Sequence, residues 1–425
     1  MGWNSWDSYG TTIDEAHFRA SAAWVAEHLK PYGYEYVAID MEWFDADPVA
    51  EGNKPNMQHA IDANGRYLPD PARFPSSADG AGFAPIAAYV HSLGLKFGIH
   101  MLQGIPKQAV AANSRIWNSD FRAKDAANQA AGCKWNPDNF DLQSTSAGQA
   151  YYNSIAQLYA SWKVDLIKID CIAAGPYKGD EIRMFHQAIV NSGRAMVLSL
   201  SPGEAPIDQT ANLQRYSQQW RISNDIWDLW HSGQEYPQGV NDQFPRAAKW
   251  LSARQDGHWP DADMLPLGRL GPAPGWGKPR DTRLTHDEQR TLMNLWCIFR
   301  SPLMYGGDPA ATDDWTLSLL TNRDVIGLDQ QSQNTQNPML TDALAVWTAD
   351  DLTRPRMDVN HFVAVFNRLD TEQTVKLTWP QIGLPRGPYR TVDLWTKQET
   401  PGQLGISVRL APHASILLQL FAGSE

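Results

Sequence analysis

The stretch Leu166-Ile167-Lys168-Ile169-Asp170-Cys171 ends in alternating apolar and ionisable residues. Side chains on a β-strand point to its two faces in turn, so Lys168 and Asp170 share one face and Ile167 and Ile169 the other. An ammonium group two residues from a carboxylate favours the ionised acid. The stretch therefore reads as a strand with a charged terminus, and Asp170 is a candidate nucleophile. Similar runs lie on either side of it, at 34–40 (YEYVAID), 95–101 (LKFGIHM), 194–200 (RAMVLSL) and 220–225 (WRISND), with shorter ones at 2–6, 259–264 and 302–306. Counting 164–170 itself, eight strands alternate with helical patterns, the signature of an α/β chain folded as a (β/α)8 barrel.

The helical patterns are legible between these runs. Thr12 and Glu15 form a capping-box pair ahead of Phe18, Ala22, Val25 and Leu29, and Ala147 to Trp162 and His286 to Arg300 repeat at helical spacing. The 103–147 region is long for a β/α connection, the kind of loop on which barrels build specificity. After residue 330 the polar run Gln330 to Pro338 breaks the pattern, and short runs at 343–348, 361–367, 373–379 and 414–420 follow between turn residues. The expected division is a catalytic barrel over 1–330 and an antiparallel β-sandwich over 331–425.

Composition narrows the partners. A chain of 425 residues with net charge -11 and pI near 5.5 lacks the basic balance of a nucleic-acid binder. No apolar run reaches the roughly 18 residues of a membrane span, and Met1 leads directly into Gly2-Trp3-Asn4 without a charged and apolar leader, so export would require that a leader has been removed. Cys133, Cys171 and Cys297 are too few and too scattered for a disulfide framework. The 18 tryptophans suit both an aromatic core and sugar stacking. Trp3, Trp6, Trp43 and Trp259 stand out because each lies near a strand terminus.

Polar residues gather at the strand ends: Asp40, His100, Asp170, Ser199 with Ser201, and Asp225. The carboxyl ends of barrel strands form the active face. Two carboxylates there permit glycoside hydrolysis with retention, which needs them about 5 to 5.5 Å apart. Arg221 lies four residues from Asp225, about 13 Å in a straight strand, so it binds either the acid or substrate hydroxyls. Asp261 with Asp263, or Asp45 with Asp47, would suit a hard cation, but the glycine and bidentate glutamate of a calcium loop are missing. Neither metal nor cofactor is expected. There is also no HExxH, GxSxG or phosphate loop. A carbohydrate-binding protein without turnover and a metal-dependent sugar isomerase are the other readings.

These clusters, in this order, resemble glycoside hydrolase family 27, the retaining α-galactosidases and α-N-acetylgalactosaminidases. Met1-Gly2-Trp3-Asn4-Ser5-Trp6 is similar to the family's opening strand, Lys168-Ile169-Asp170-Cys171 to its nucleophile strand, Arg221 with Asp225 to its arginine and acid/base, Asp261 to Leu265 to its Asp-Pro-Asp-Met-Leu segment, and Ser301 to Met304 to its final strand. The resemblance implies that Asp170 attacks the anomeric carbon of an oligosaccharide or glycoside while Asp225 serves as acid and base. It further implies that Lys168, Arg221 and Asp263 hold hydroxyls, with Asp40 and Trp6 lining the pocket. Trp43, His100, Ser201, Cys133 and Trp135 are further candidates for touching substrate.

The chain departs from that pattern at informative places. Asp40-Met41-Glu42-Trp43 stands where the family carries Asp-Asp-Cys-Trp, whose paired acids bind the O6 and axial O4 groups. His100 replaces a tyrosine, Ser199 to Glu204 replaces a Cys-Glu-Trp segment, and the customary disulfides are missing. An α-galactosidase-like activity is expected. The altered contacts also leave room for an α-glucan-directed or β-L-arabinopyranosidase specificity.

Overall fold

The structure is a computed structural model that describes residues 1–49, 59–351 and 360–422. Its chain packs into two compact units: residues 1–224, 255–281 and 304–312 form one, and 225–254, 282–303 and 313–425 the other.

The first unit holds eight parallel strands: β1 Gly2–Asn4, β2 Tyr36–Ile39, β3 Lys96–Leu102, β4 Leu166–Asp170, β5 Val197–Leu200, β6 Gln219–Arg221, β7 Trp259–Asp261 and β8 Met304–Tyr305. They pair in the order β7-β6-β5-β4-β3-β2-β1-β8. A parallel bridge from Leu265, just past β7, to Tyr305 on β8 joins the two ends of the sheet. All eight expected strands are present, most of them shorter than the apolar runs that announced them. Ile167, Ile169, Leu198, Leu200 and Trp220 are buried at positions that alternate with polar ones, so the apolar face of each strand is covered.

The helix Glu15–His28 packs through Phe18, Ala22 and Val25. Its cap is not the expected Thr12–Glu15 pair: Asp14 accepts from the His17 amide at 2.8 Å, whereas the Thr12 hydroxyl donates to the Tyr9 carbonyl at 2.7 Å. Aspartate one residue before the helix satisfies its free amides directly. The long 103–147 connection folds into a three-stranded antiparallel sheet of Ile105–Pro106, Ala127–Gly132 and Asn139–Leu142.

In the second unit the helix His286–Phe299 carries a true capping box between Thr285 and Glu288 and ends at Arg300, in the left-handed region at φ 63. The Arg300 side chain then donates to the carbonyls of Asp329, Ser332 and Gln330. The polar run after 330, which looked like a break, is itself the strand Ser332–Leu340, on the edge of a six-stranded antiparallel sheet. With the two-stranded pair Gln373–Thr378 and Gly405–Leu410 it encloses Val363, Val365, Val375, Trp379, Ile406 and Leu418.

Candidate active site

Strand alternation builds the site. Lys168, Ser199 with Ser201, Gln219 with Arg221, and Asp261 with Asp263 line one cavity, each pair two residues apart on or just past one strand. Asn4 and Met304 complete its wall from β1 and β8. Register puts Lys168 opposite Ser199, Ser199 opposite Gln219 and Arg221 opposite Asp261, so neighbouring strands deliver polar groups side by side.

Charge in this unit is closely compensated. Lys168 Nζ donates to Asp40 Oδ2 at 2.8 Å, and Asn4 Nδ2 reaches the same oxygen at 2.8 Å. Asp40 Oδ1 accepts from the Met41 amide at 2.9 Å. The nucleophile candidate Asp170 is 6 % exposed, and its Oδ2 lies 3.1 Å from His100 Nε2. Its Oδ1 is buried without a hydrogen-bond partner among the described residues. Burial alone would raise Asp170, but the charges of Lys168 and then His100 outweigh it and hold the carboxyl well below the usual range. Asp40 follows the same pattern: burial is opposed chiefly by Lys168, and its carboxyl is also lowered. Arg221 Nη2 pairs with Asp263 Oδ2 at 2.7 Å, and Asp263 takes a left-handed φ of 90 while its amide donates to Asp261 Oδ1 at 2.9 Å. Burial raises Asp261 despite Arg221 beside it.

The sequence candidates thus separate. Asp40, His100, Lys168, Asp170, Ser201, Arg221 and Asp263 belong to this polar interior, with Lys168 2.8 Å from Asp40 and His100 3.1 Å from Asp170. Trp6 keeps a buried indole N–H without a partner among the described residues, and one side of its ring lies against Gly275. Trp43 is a correction. It is fully buried, donates to the His100 carbonyl at 2.8 Å and packs edge-on to Phe83 and Trp162, so its ring faces belong to the core.

Cys133 is a second correction. It forms a disulfide with Cys171, directly after Asp170, with Cα atoms 5.7 Å apart, so one disulfide exists where none was expected and the thiol is not open to a sugar. The loop fold, not the 38-residue spacing, brings the two together. Trp135, two residues on, is 48 % exposed. Asp225 opens the second compact unit, half-buried, with its carbonyl accepting from the Gln238 amide at 2.9 Å.

Glu42 makes no hydrogen bond through its carboxyl group among the described residues. It is fully buried at a left-handed φ of 60, and burial, then Asp45 and Asp138, push its carboxyl up to about 8. Sequence reading missed Asn4 and Arg73. Asn4 sits within the quoted opening motif and orients Asp40. Arg73 donates to the carbonyls of Glu42 at 2.6 Å, Asp45 at 3.0 Å, Thr11 at 2.5 Å and Ile13 at 2.5 Å, tying the segments after β1 and β2 together.

Comparison with known proteins follows the same layout. Residues 1–129 and 140–331 match the family described as alpha galactosidase A, and residues 341–420 match the alpha galactosidase C-terminal beta sandwich domain. A β-L-arabinopyranosidase structure from Geobacillus stearothermophilus is 41% identical, with 99% of this chain and 95% of that one covered and a TM-score of 0.93. A putative α-N-acetylgalactosaminidase from Bacillus halodurans is 37% identical over 100% of this chain and 97% of that one, at a TM-score of 0.87. The α-galactosidase of Cyamopsis tetragonoloba is 30% identical over 97% of this chain and 84% of its own length.

A parallel barrel with a polar interior at its strand ends and an antiparallel domain behind it in sequence is, with these matches, an α-galactosidase-like glycoside hydrolase. The chain belongs to glycoside hydrolase family 27.

Proposed function

We propose that this enzyme hydrolyses terminal α-linked galactose-type glycosides with retention, Asp170 acting as nucleophile and Asp225 as acid and base. The observation that carries the reading is the state of Asp170: buried, held ionised, and with Oδ1 lacking a protein partner among the described residues. In the first step Oδ1 bonds to the anomeric carbon as Asp225 gives its proton to the departing oxygen. In the second, Asp225 takes a proton from water, whose oxygen displaces Asp170 and restores both carboxyl groups. Lys168, Asp40, Arg221 and Asp263 are assigned to the sugar hydroxyls, with Ser201 and the Trp6 N–H as further contacts, and Trp135 to the more exposed part of the substrate. We also assign the catalytic part to 1–330 and the sandwich to 331–425, supported by the break between the two family matches at 331 and 341.

One observation favours a second specificity, for β-L-arabinopyranosides. Met41, 5 % exposed beside Asp40, puts a thioether where the family's second acid would accept a hydroxyl. L-Arabinopyranose has the galactose ring without its hydroxymethyl group, so it leaves no O6 to satisfy, whereas a buried hydroxyl without a partner costs about 1 to 3 kcal/mol. The similarity to the Geobacillus arabinopyranosidase supports the same choice.

A panel of nitrophenyl α- and β-glycosides, with wild type and Asp170→Asn, tests both. Hydrolysis of the α-D-galactoside or the β-L-arabinopyranoside, lost in Asp170→Asn, is expected; turnover confined to other β-linked sugars would refute the class. Met41→Asp should raise the galactoside-to-arabinopyranoside ratio of kcat/KM by about tenfold or more.

A further inference from the structure

We infer that the second unit carries an oxyanion-binding pocket, in which the Arg290 guanidinium receives a carboxylate, phosphate or sulfate group beside two indoles. Arg290, Trp315, Asn322, Arg323, Trp395 and Lys397 line an open hollow of about 450 Å³. They come from the helices His286–Phe299, Asp314–Leu320 and Arg323–Gln331 and from the turn after the strand Tyr389–Asp393. All of them fall in the second unit, and none lines the cavity around Lys168 and Arg221. Arg290 is the residue that points to a ligand. Its guanidinium lies over the Trp315 ring, 4.7 Å from the ring centre, and makes no hydrogen bond or ion pair with any described residue. Its Nε–H is buried. A buried donor on a charged group is costly to leave unpaired, and an oxyanion supplies the missing acceptor.

The rest of the wall is already engaged. Trp315 Nε1 donates to Gln289 Oε1 at 3.0 Å and Trp395 Nε1 to Asn294 Oδ1 at 2.8 Å, which fixes both indoles. Asn322 Nδ2 donates to the Leu394 carbonyl at 3.0 Å. Asp324, the one carboxylate of the lining among the described residues, pairs with Lys397 Nζ at 2.5 Å and so leaves Arg290 alone. Three cations against that single acid make the lining positive in a chain of net charge -11, which favours an anion over a neutral ligand. The Trp315 contact holds the guanidinium in place without using any of its N–H donors. Those donors form a planar fork that matches two oxygens of one carboxylate, phosphate or sulfate. A carboxylate borne on a sugar brings a ring with it, and the half-buried Trp395 in the same wall suits the C–H face of such a ring, whereas a free anion uses the guanidinium alone.

Titration calorimetry on the full chain tests this and separates the two sources of the anion. The probes are inorganic phosphate, glucuronate and glucose, the last sharing the ring of glucuronate without its carboxylate. Wild type should bind both anions, and Arg290→Gln should bind them about tenfold or more weakly, while any heat from glucose should be the same in the two proteins. Glucuronate held more tightly than phosphate assigns the pocket to an acidic sugar; equal or weaker binding assigns it to a free oxyanion. Arg290→Lys should recover only part of the affinity, because an ammonium keeps the charge but not the paired donors. Arg290 has no polar partner in the described chain, so Arg290→Gln should retain wild-type kcat/KM on a nitrophenyl glycoside, which shows that it is folded, and should sediment as wild type does. Absence of saturable anion binding by wild type would overturn the inference without recourse to any variant. So would equal affinity in Arg290→Gln, or a changed sedimentation that makes Arg290 a contact between copies of the chain. None of these readouts depends on the roles assigned to Asp170 and Asp225.

Discussion

Replacing Lys168 by methionine removes the cation that two buried carboxylates depend on while keeping most of the side chain's volume. Lys168 Nζ is 2.8 Å from Asp40 Oδ2, with the two side chains 15 % and 1 % exposed, and removing one member of such a pair costs about 3 to 5 kcal/mol. The cost should depend on pH, with a definite sign. In the wild type Asp40 and Asp170 are both depressed, so the stability they contribute is complete above the unfolded aspartate value near 3.9 and is lost only as pH falls through their folded values. Without Lys168, burial, the largest influence on each, wins and carries at least one carboxyl above that reference. From about pH 4 upward the variant then loses stability at up to about 1.4 kcal/mol per pH unit until the raised group ionises. Urea unfolding at pH 5 and pH 8 should show the variant closer to wild type at pH 5, by about 1 to 3 kcal/mol, and the acidic limb of kcat/KM should rise as well. Adding Asp40→Asn should return much of the stability by removing an orphaned charge. A deficit identical at the two pH values would refute the reasoning.

Arg73→Met strands four buried carbonyls and should cost about 3 to 5 kcal/mol in thermal or urea unfolding, with Arg73→Lys recovering only part because an ammonium cannot span four acceptors as a guanidinium does. Glu42, raised to about 8, stays neutral when folded and ionises when unfolded, so it lowers stability progressively from about pH 4.3 to pH 8. Glu42→Gln should therefore match wild type at pH 4 and exceed it at pH 8 in urea midpoint. Gly275→Ala would put a Cβ 2.3 Å from Trp6 Cε2, so the indole must move. It should lower kcat/KM by about tenfold or more with a stability loss of about 1 to 3 kcal/mol, measured by nitrophenyl glycoside turnover and melting.

What was legible in the sequence is what depends on neighbours along the chain. Strand periodicity located all eight barrel strands, and the parity of Lys168 and Asp170 correctly put both on the polar face. What was not legible depends on neighbours across strands. Nothing in the local pattern says that Lys168 reaches back to β2 for Asp40, or that His100 on β3 comes to lie beside Asp170. Cys133 and Cys171 meet only because a 103–147 loop of small antiparallel strands folds the chain back. Trp43 looked like a sugar platform from its place at a strand end, yet the next residues turn it into the aromatic core. Ser332–Leu340 hid as a strand because an edge strand with exposed positions need not be apolar and tolerates Pro338.

The alternation that makes the site readable also makes it fragile in a particular way. Lys168, Ser199, Gln219, Arg221 and Asp261 all sit at inward positions of four consecutive strands. A one-residue slip between any two would exchange inward for outward, placing Ile169 or Leu200 in the cavity and an uncompensated charge against the helices. The pairs Lys168–Asp40 and Arg221–Asp263 oppose such slips as well as preparing the site, because each is satisfied only in the native register. A buried ion pair adds little net stability over a hydrophobic one, but its rupture is costly, so the penalty falls on misregistered states far more than on the folded one. In this barrel the groups assigned to sugar hydroxyls are thus the same groups that hold its strands in step, and substitutions there should impair folding specificity and catalysis together.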